Sequence, residues 1–300
     1  MTTIAIIGPG AIGLTAGAAL MDNGHDVTFA GRQGFDLVTI KTEEGIFRRH
    51  VAKSIIAKSM IDSHVPAADW VLVCTKAYQT LGAADAIRSA AGPGTRVAVL
   101  QNGVEHAERL APILPADVRI VPVVVDMPAG RLGRGEVLWR GRAGLLVQDT
   151  DDGRAFCNLF AGTFAIAQAV DDLKTRMWRK LCVNAPSGAI LCLTGRPMDV
   201  FHAPGIADLA RAILRECVAV GRADGAELSG EIVEAQMQSF LDAAPDETNS
   251  MFDDFVAGND TEWDARNGVI VRKGAQHGVP TPVSASLVPL LAALRLAAVG

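Results

Sequence analysis

The chain has 300 residues, 49% of them apolar and 20% charged, which suits a large buried core and excludes wholesale disorder. Its net charge of −5 argues against a nucleic-acid partner, which needs a basic footprint, and no run of like charges forms a polyelectrolyte tail. Thirty glycines with only 5% aromatic residues fit an α/β protein with tight turns better than an all-β sandwich.

The first half alternates strand-like and helix-like runs. Ile4-Ala5-Ile6-Ile7 reads as a buried strand, Ala11 to Asn23 as a helix ending at Gly24, and Asp26 to Ala30 as a second strand. Further strands are expected at Trp70 to Cys74, Val97 to Leu100 and Ile120 to Val125, with helices at Thr80 to Ala91 and Glu105 to Leu110. Continuous apolar strands separated by helices predict a parallel sheet covered on both faces, a doubly wound Rossmann-type arrangement. The Gly- and Arg-rich stretch Gly130 to Gly144, with Glu136 to Trp139 inside it, predicts a hairpin closing this first domain. Helix periodicity then takes over at Leu173 to Leu193, Ile206 to Arg222, Glu231 to Leu241, Glu262 to His277 and Val283 to Ala298. The expected organisation is a Rossmann domain over residues 1–170 and an all-helical domain over 171–300.

The cysteines, Cys74, Cys157, Cys182, Cys192 and Cys217, are odd in number, lie in apolar surroundings and form no C-x-x-C. They indicate buried thiols in a reducing, cytoplasmic compartment. The histidines are scattered, without metal-ligand spacing, so no metal is expected. No membrane span is expected either. The apolar run from Ile4 to Leu20 is interrupted by Gly8, Pro9, Gly10 and Gly13, and the run from Leu287 to Val299 is short and carries Pro289 and Arg295. That last apolar helix reads as core or as the interface of a homodimer.

The strongest local signal is Gly8-Pro9-Gly10-Ala11-Ile12-Gly13, a G-x-G-x-x-G between strand and helix. The first glycine makes a tight turn, the second admits a pyrophosphate close to the backbone, and the third lets helix pack on strand. The helix N-terminus offers N–H groups to the phosphates. The second strand ends Ala30-Gly31-Arg32, without the carboxylate that bonds the ribose 2′-hydroxyl of NAD. Arg32 is either a solvated surface residue or a fork for the 2′-phosphate of NADP. Lys76, after the next strand, is either a surface lysine or a second cation near the phosphates. Asn102, in Gln101-Asn102-Gly103, is either a turn residue or a group reaching nicotinamide and substrate.

In the helical half, Lys180 and Asn184 share one helix face beside an apolar stripe of Leu173, Met177 and Leu181. Lys180 reads as a snorkelling helix-edge lysine, or as a cleft residue whose desolvated ammonium donates a proton. Ser250 reads as a helix cap before Met251, and Glu262 as a surface carboxylate.

Taken in order, these motifs resemble the ketopantoate reductases (2-dehydropantoate 2-reductases). The resemblance rests on Gly8-x-Gly10-x-x-Gly13, Arg32, Cys74-Thr75-Lys76-Ala77, Gln101-Asn102-Gly103, Trp178-Arg179-Lys180-Leu181-x-x-Asn184, Ser250-Met251 and Thr261-Glu262. It implies NADPH-dependent reduction of a 2-keto acid to a 2-hydroxy acid, with a small-molecule substrate. Lys180 would be the general acid, and Glu262 would orient it or hold a substrate hydroxyl. Asn184 and Ser250 would bind substrate oxygens, and Asn102 would sit beside nicotinamide and substrate. Arg32 and Lys76 would grip the 2′-phosphate region. Where many members carry a second asparagine one turn after the first, this chain has Gly188, and Pro186 and Gly188 together are expected to disturb the helix. Ketopantoate and another branched or aromatic 2-keto acid therefore both stand as substrates. A non-catalytic NADP(H)-binding redox sensor is the reading from another class.

Overall fold

The computed structural model describes residues 1–42, 45–50, 53–56, 65–141 and 143–294. The chain forms two compact units, Met1–Leu173 and a second from Lys174 on.

Unit 1 runs β1 (Thr3–Ile7), α1 (Ala11–Asp22), β2 (Asp26–Gly31), β3 (Leu37–Lys41), β4 (Ile46–His50), β5 (Lys53–Ile56), β6 (Trp70–Val73), α2 (Ala84–Ala90), β7 (Arg96–Val99), α3 (His106–Leu110), β8 (Arg119–Pro122), β9 (Val124–Asp126), β10 (Ala129–Gly133), β11 (Glu136–Trp139), β12 (Gly144–Gln148), α4 (Asp151–Leu159) and β13 (Ile166–Val170). Six strands form one sheet in the order β5-β2-β1-β6-β7-β8, every pair parallel. The strand order reverses between β1 and β6, so the carboxyl ends of these two strands flank the crevice where doubly wound sheets take their ligands.

Alternation along each strand divides the core. Ile4, Ile6, Phe29 and Leu72 face one side, with Leu14 and Leu20 of α1. Ala5, Ile7, Val71 and Val73 face the other, with Ile87 of α2 and Leu110 of α3. Both faces are buried, which is why these strands read as unbroken apolar runs.

Several local expectations are corrected. The predicted strand from Ile120 to Val125 is two strands. β8 pairs with β7 up to Pro122, and β9 then pairs with β12 in a second sheet. Proline has no N–H to extend the ladder, so the chain changes sheet there. The helix expected from Thr80 begins as two 3-10 turns, Ala77–Gln79 and Leu81–Ala83, and becomes α-helical only at Ala84. The hairpin is present as β10 and β11, paired antiparallel around Gly135 at φ +71°. It does not close the unit, because β12, α4 and β13 follow. Instead β11 pairs in parallel with β3, giving a four-stranded sheet of order β10-β11-β3-β4.

Unit 2 is helical: α5 (Leu173–Thr194, begun on the last residue of unit 1), α6 (Ile206–Ala223), α7 (Ile232–Leu241), α8 (Ser250–Val256), α9 (Val269–His277) and α10 (Pro282–Ala293). Contrary to expectation, α5 runs unbroken through Pro186 and Gly188. Residues 185–190 are buried, and packing outweighs the lost backbone bond. Asn267 Nδ2 donates to Ala185 O at 3.0 Å, tying that turn to a neighbouring helix. The helix expected over Glu262 to His277 enters through a π-helical turn, Asp264–Gly268, before α9. Of the apolar helix expected over Val283 to Ala298, α10 ends at Ala293 and residues 295–298 lie outside the described part.

One carboxylate organises the base of unit 2. Asp224 accepts from Trp178 Nε1 at 3.1 Å and from His277 Nε2 at 3.1 Å, and it pairs with Lys273 Nζ at 3.2 Å. Burial by itself would raise its pKa, but those donors outweigh it and hold the carboxyl below the usual range. No described helix is long and apolar enough to cross a membrane.

Candidate active site

In unit 1 the glycine turn divides its three glycines by environment. Gly8 has φ +91°, and a Cβ there would lie 2.7 Å from Thr75 N and 2.8 Å from Thr75 Cα. It is therefore needed both for its backbone conformation and for the contact between the β1 and β6 ends. A Cβ on Gly13 would lie 2.6 Å from Gly8 O and 3.2 Å from Cys74 Cβ, so this glycine lets α1 seat on the sheet. A Cβ on Gly10 would meet nothing within 4 Å. The middle glycine faces open space at the start of α1, where a phosphate would approach the first N–H groups of the helix. These residues fit a dinucleotide.

The end of β2 joins this turn. A Cβ on Gly31 would lie 2.6 Å from Pro9 Cγ and Cδ, so the strand tip packs directly on the turn. Arg32 follows it and is exposed. Lys76 is half-buried and precedes the 3-10 turn after β6. Beside it, the buried Gln101 side chain ties two loops together. Its Nε2 donates to Thr75 O, Thr75 Oγ1 and Thr80 Oγ1, each at 2.9 Å, and its Oε1 accepts from Arg109 Nη1 at 2.9 Å. Asn102 is half-buried at the end of that anchored loop. Gly8–Gly13, Arg32, Lys76 and Asn102 thus follow the carboxyl ends of the neighbouring strands β1, β2, β6 and β7. Gln101 and Gly31 were not assigned a role from sequence, although each sits beside a residue that was.

In unit 2, Lys180 and Asn184 lie half-buried one turn apart on α5. One turn further on, Gly188 is buried, and a Cβ there would lie 2.9 Å from Met251 Sδ and 3.5 Å from Arg266 Nη1. At that point α5 meets the start of α8 and the π turn. The cap of α8 is Asn249, whose Oδ1 accepts from Met251 N and Phe252 N at 3.0 Å each. Ser250 is therefore not the cap expected from the sequence. It is the first helical residue, and its Oγ accepts from Arg266 Nη2 at 2.8 Å. Glu262 is 4% exposed and so is not a surface carboxylate.

Arg266 is the residue that sequence reasoning passed over. It is 1% exposed, and its Nε and Nη1 are buried without a hydrogen-bond partner among the described residues. Burial pushes the guanidinium below its ordinary value, against the opposing pull of the nearby Glu262 carboxylate. Cys192, one turn after Gly188, is pushed up to about 12 by burial, with Arg266 pulling the other way. A signal existed in the sequence: Arg266 falls four residues after Glu262, a spacing that brings opposite charges together on a helix.

Two family models match the chain. Ketopantoate reductase PanE/ApbA covers residues 4–152, and ketopantoate reductase PanE/ApbA C terminal covers residues 172–295. The chain belongs to the ketopantoate reductase family. It is 42% identical to 2-dehydropantoate 2-reductase of Caulobacter vibrioides over 99% of this chain and 100% of that protein. It is 36% identical to 2-dehydropantoate 2-reductase of Mycobacterium tuberculosis over 97% of each. A crystal structure of a PanE/ApbA family ketopantoate reductase from Ralstonia eutropha superposes with TM-score 0.86 at 29% identity, covering 97% of this chain and 98% of that one. As a ketopantoate reductase family member the protein is an oxidoreductase, and its doubly wound sheet and helical second unit are the fold of that family.

Proposed function

We propose that the protein reduces a 2-keto acid to a 2-hydroxy acid with NADPH, and that ketopantoate, reduced to pantoate, is the first substrate to test. The observation that carries the cofactor reading is the β2 tip. Gly31 packs on Pro9, exposed Arg32 follows, and no carboxylate stands where a ribose 2′-hydroxyl would be bonded. A planar fork at that position suits a 2′-phosphate. The substrate reading rests on relatives that carry the name 2-dehydropantoate 2-reductase.

NADPH, when bound, supplies the hydride that reaches C2 of the keto acid. Negative charge then develops on the carbonyl oxygen. Lys180 Nζ stabilises that charge and gives the oxygen a proton, leaving a neutral amine that water recharges. Asn184 donates an N–H to a substrate oxygen. Arg266 occupies one lone pair of the Ser250 hydroxyl, whose proton remains for a second substrate oxygen. Glu262 orients the ammonium of Lys180 or accepts from a substrate hydroxyl. Asn102 positions the carbonyl beside the nicotinamide, and Lys76 supplies a second cation to the phosphates.

Loss of NADPH absorbance over a panel of 2-keto acids, with NADH as control, tests the reading. Turnover of ketopantoate with a preference for NADPH is expected, and Lys180→Ala is expected to lower kcat by about 100- to 10,000-fold. The packing of Gly188 against Arg266 favours one second reading, a different branched or aromatic 2-keto acid. Turnover of such an acid alone selects it. NADPH binding without turnover of any acid points to the redox sensor.

A further inference from the structure

In the reaction as described, the buried guanidinium of Arg266 does no more than hold Ser250. A fully buried arginine ordinarily has its N–H groups satisfied, because an unmet charged donor is costly. Here only Nη2 is used, on Ser250 Oγ at 2.8 Å. Nε and Nη1 are buried without partners among the described residues. Gly188 borders this placement. Arg266 Nη1 and Cδ would lie 3.5 and 3.6 Å from a Cβ at that position, so any longer side chain there would contest the space of the guanidinium. One turn before Gly188 stands Asn184, and one turn before that Lys180. Alongside, Arg266 lies in the π turn, where Ala265, Arg266, Asn267 and Gly268 are all buried.

We propose that Arg266 is a specificity-determining residue of the unit 2 site: it fixes Ser250 through Nη2 and offers its remaining N–H groups to the carboxylate of the keto acid. This rests on the 2-keto acid reading above. A planar fork beside a hydroxyl matches the two oxygens of a carboxylate and discriminates against an uncharged isostere.

The test compares wild type, Arg266→Met and Arg266→Lys in two assays. One is steady-state turnover of ketopantoate and of its uncharged amide. The other is the rise in melting temperature produced by ketopantoate without turnover. For Arg266→Met, KM for the acid is expected to rise about 10- to 100-fold with kcat changed less than about threefold. The preference for acid over amide is expected to collapse toward one, and the ligand-induced rise in melting temperature to vanish. Arg266→Lys is expected to restore part of the acid preference. The unliganded melting temperature of Arg266→Met is expected to stay near that of wild type, since two unmet buried donors are removed together with the attraction to the nearby Glu262 carboxylate.

Unchanged KM and acid preference in a folded Arg266→Met protein would overturn the proposal while leaving the reductase reading intact. A lower melting temperature with kcat reduced and KM unchanged would make Arg266 structural and overturn it likewise. A ketopantoate-induced shift in wild type that is lost in Arg266→Met, without turnover, would sink the reductase reading and sustain the carboxylate site. Neither shift nor turnover would overturn both.

Discussion

The candidate site of unit 1 rests on the backbone of its glycine turn as well as on Arg32, Lys76 and Asn102, and that of unit 2 rests on side chains alone. In the turn after β1 the decisive features are a positive φ at Gly8, a close contact at Gly13 and an empty space at Gly10. None of these needs a side chain, and each maps onto a glycine at a fixed spacing. In unit 2 the decisive features are a hydroxyl held by an arginine sixteen residues away and a lysine one turn from an asparagine. Helices of that kind present polar groups anywhere along an apolar stripe, so spacing alone does not distinguish a site from a surface. Substitutions should therefore fail in different ways in the two units.

The largest effect is expected at Gly8. Gly8→Ala would place a methyl group within 2.8 Å of the Thr75 backbone and demand φ +91° of an alanine. Backbone cannot rotate aside as a side chain can. A loss of about 3 kcal/mol or more of stability is expected in chemical denaturation, with NADPH binding lost in the same step. Near-native stability in this variant would mean that the turn tolerates rearrangement and that unit 1 is not written in its backbone.

Asp224 is the counterpart in unit 2. Trp178, His277 and Lys273 converge on it, and Asp224→Asn keeps its shape while removing the charge they answer. A loss of about 2 kcal/mol is expected at neutral pH. The carboxyl is held below its ordinary value, so the stability it adds is present above about pH 4, its unfolded value, and is lost as pH falls through the lower folded value. Urea titrations from pH 7 to pH 2.5 should show an acid limb in wild type that is shallower in the variant. An unaltered limb would remove Asp224 as the anchor.

How much was legible follows the same division. The strands β1, β2, β6 and β7 and their parallel sheet could be read from apolar runs, since strands buried on both faces carry no competing pattern. β5, whose sequence is Lys-Ser-Ile-Ile, was too short and half polar to stand out. α4 was missed although its signal was present: Thr150 caps it, accepting from Gly153 N at 3.1 Å, and two aspartates fill its first turn. In unit 2 the helices were legible as periods and Asn184 by its spacing from Lys180, but substrate roles for Asn184, Ser250 and Glu262 came only from the resemblance. Arg266 went unread because its partner and its room come from α8 and α5, which the sequence does not place beside it.

Glu216 shows the same non-local logic at smaller scale. Its two carboxylate oxygens accept from Val283 N at 2.7 Å and Ser284 N at 2.8 Å, capping α10 from α6. Thr281, the local cap position, makes no side-chain cap bond. Glu216→Ala is expected to cost about 1 to 2 kcal/mol. Hydrogen exchange should locate the loosening in the first turn of α10. Uniform loosening of unit 2 would instead mean that Glu216 holds the whole helical core.

The smallest expected change in stability separates fold from function within unit 1. Gly10 has φ −80°, which any residue adopts, and a Cβ there meets nothing within 4 Å. Gly10→Ala is therefore expected to cost less than about 1 kcal/mol, the difference between glycine and alanine at a helix N-cap. The same methyl group would stand where a pyrophosphate comes closest to the chain. The NADPH dissociation constant, read by fluorescence titration, is expected to rise about tenfold or more, against an almost unchanged melting temperature. Gly8 and Gly10 lie two residues apart in one motif, yet the first serves the meeting of β1 with β6 and the second serves the ligand. If Gly10→Ala bound NADPH as wild type does, the turn would be a packing device throughout, and the glycine pattern would have carried a fold without its cofactor.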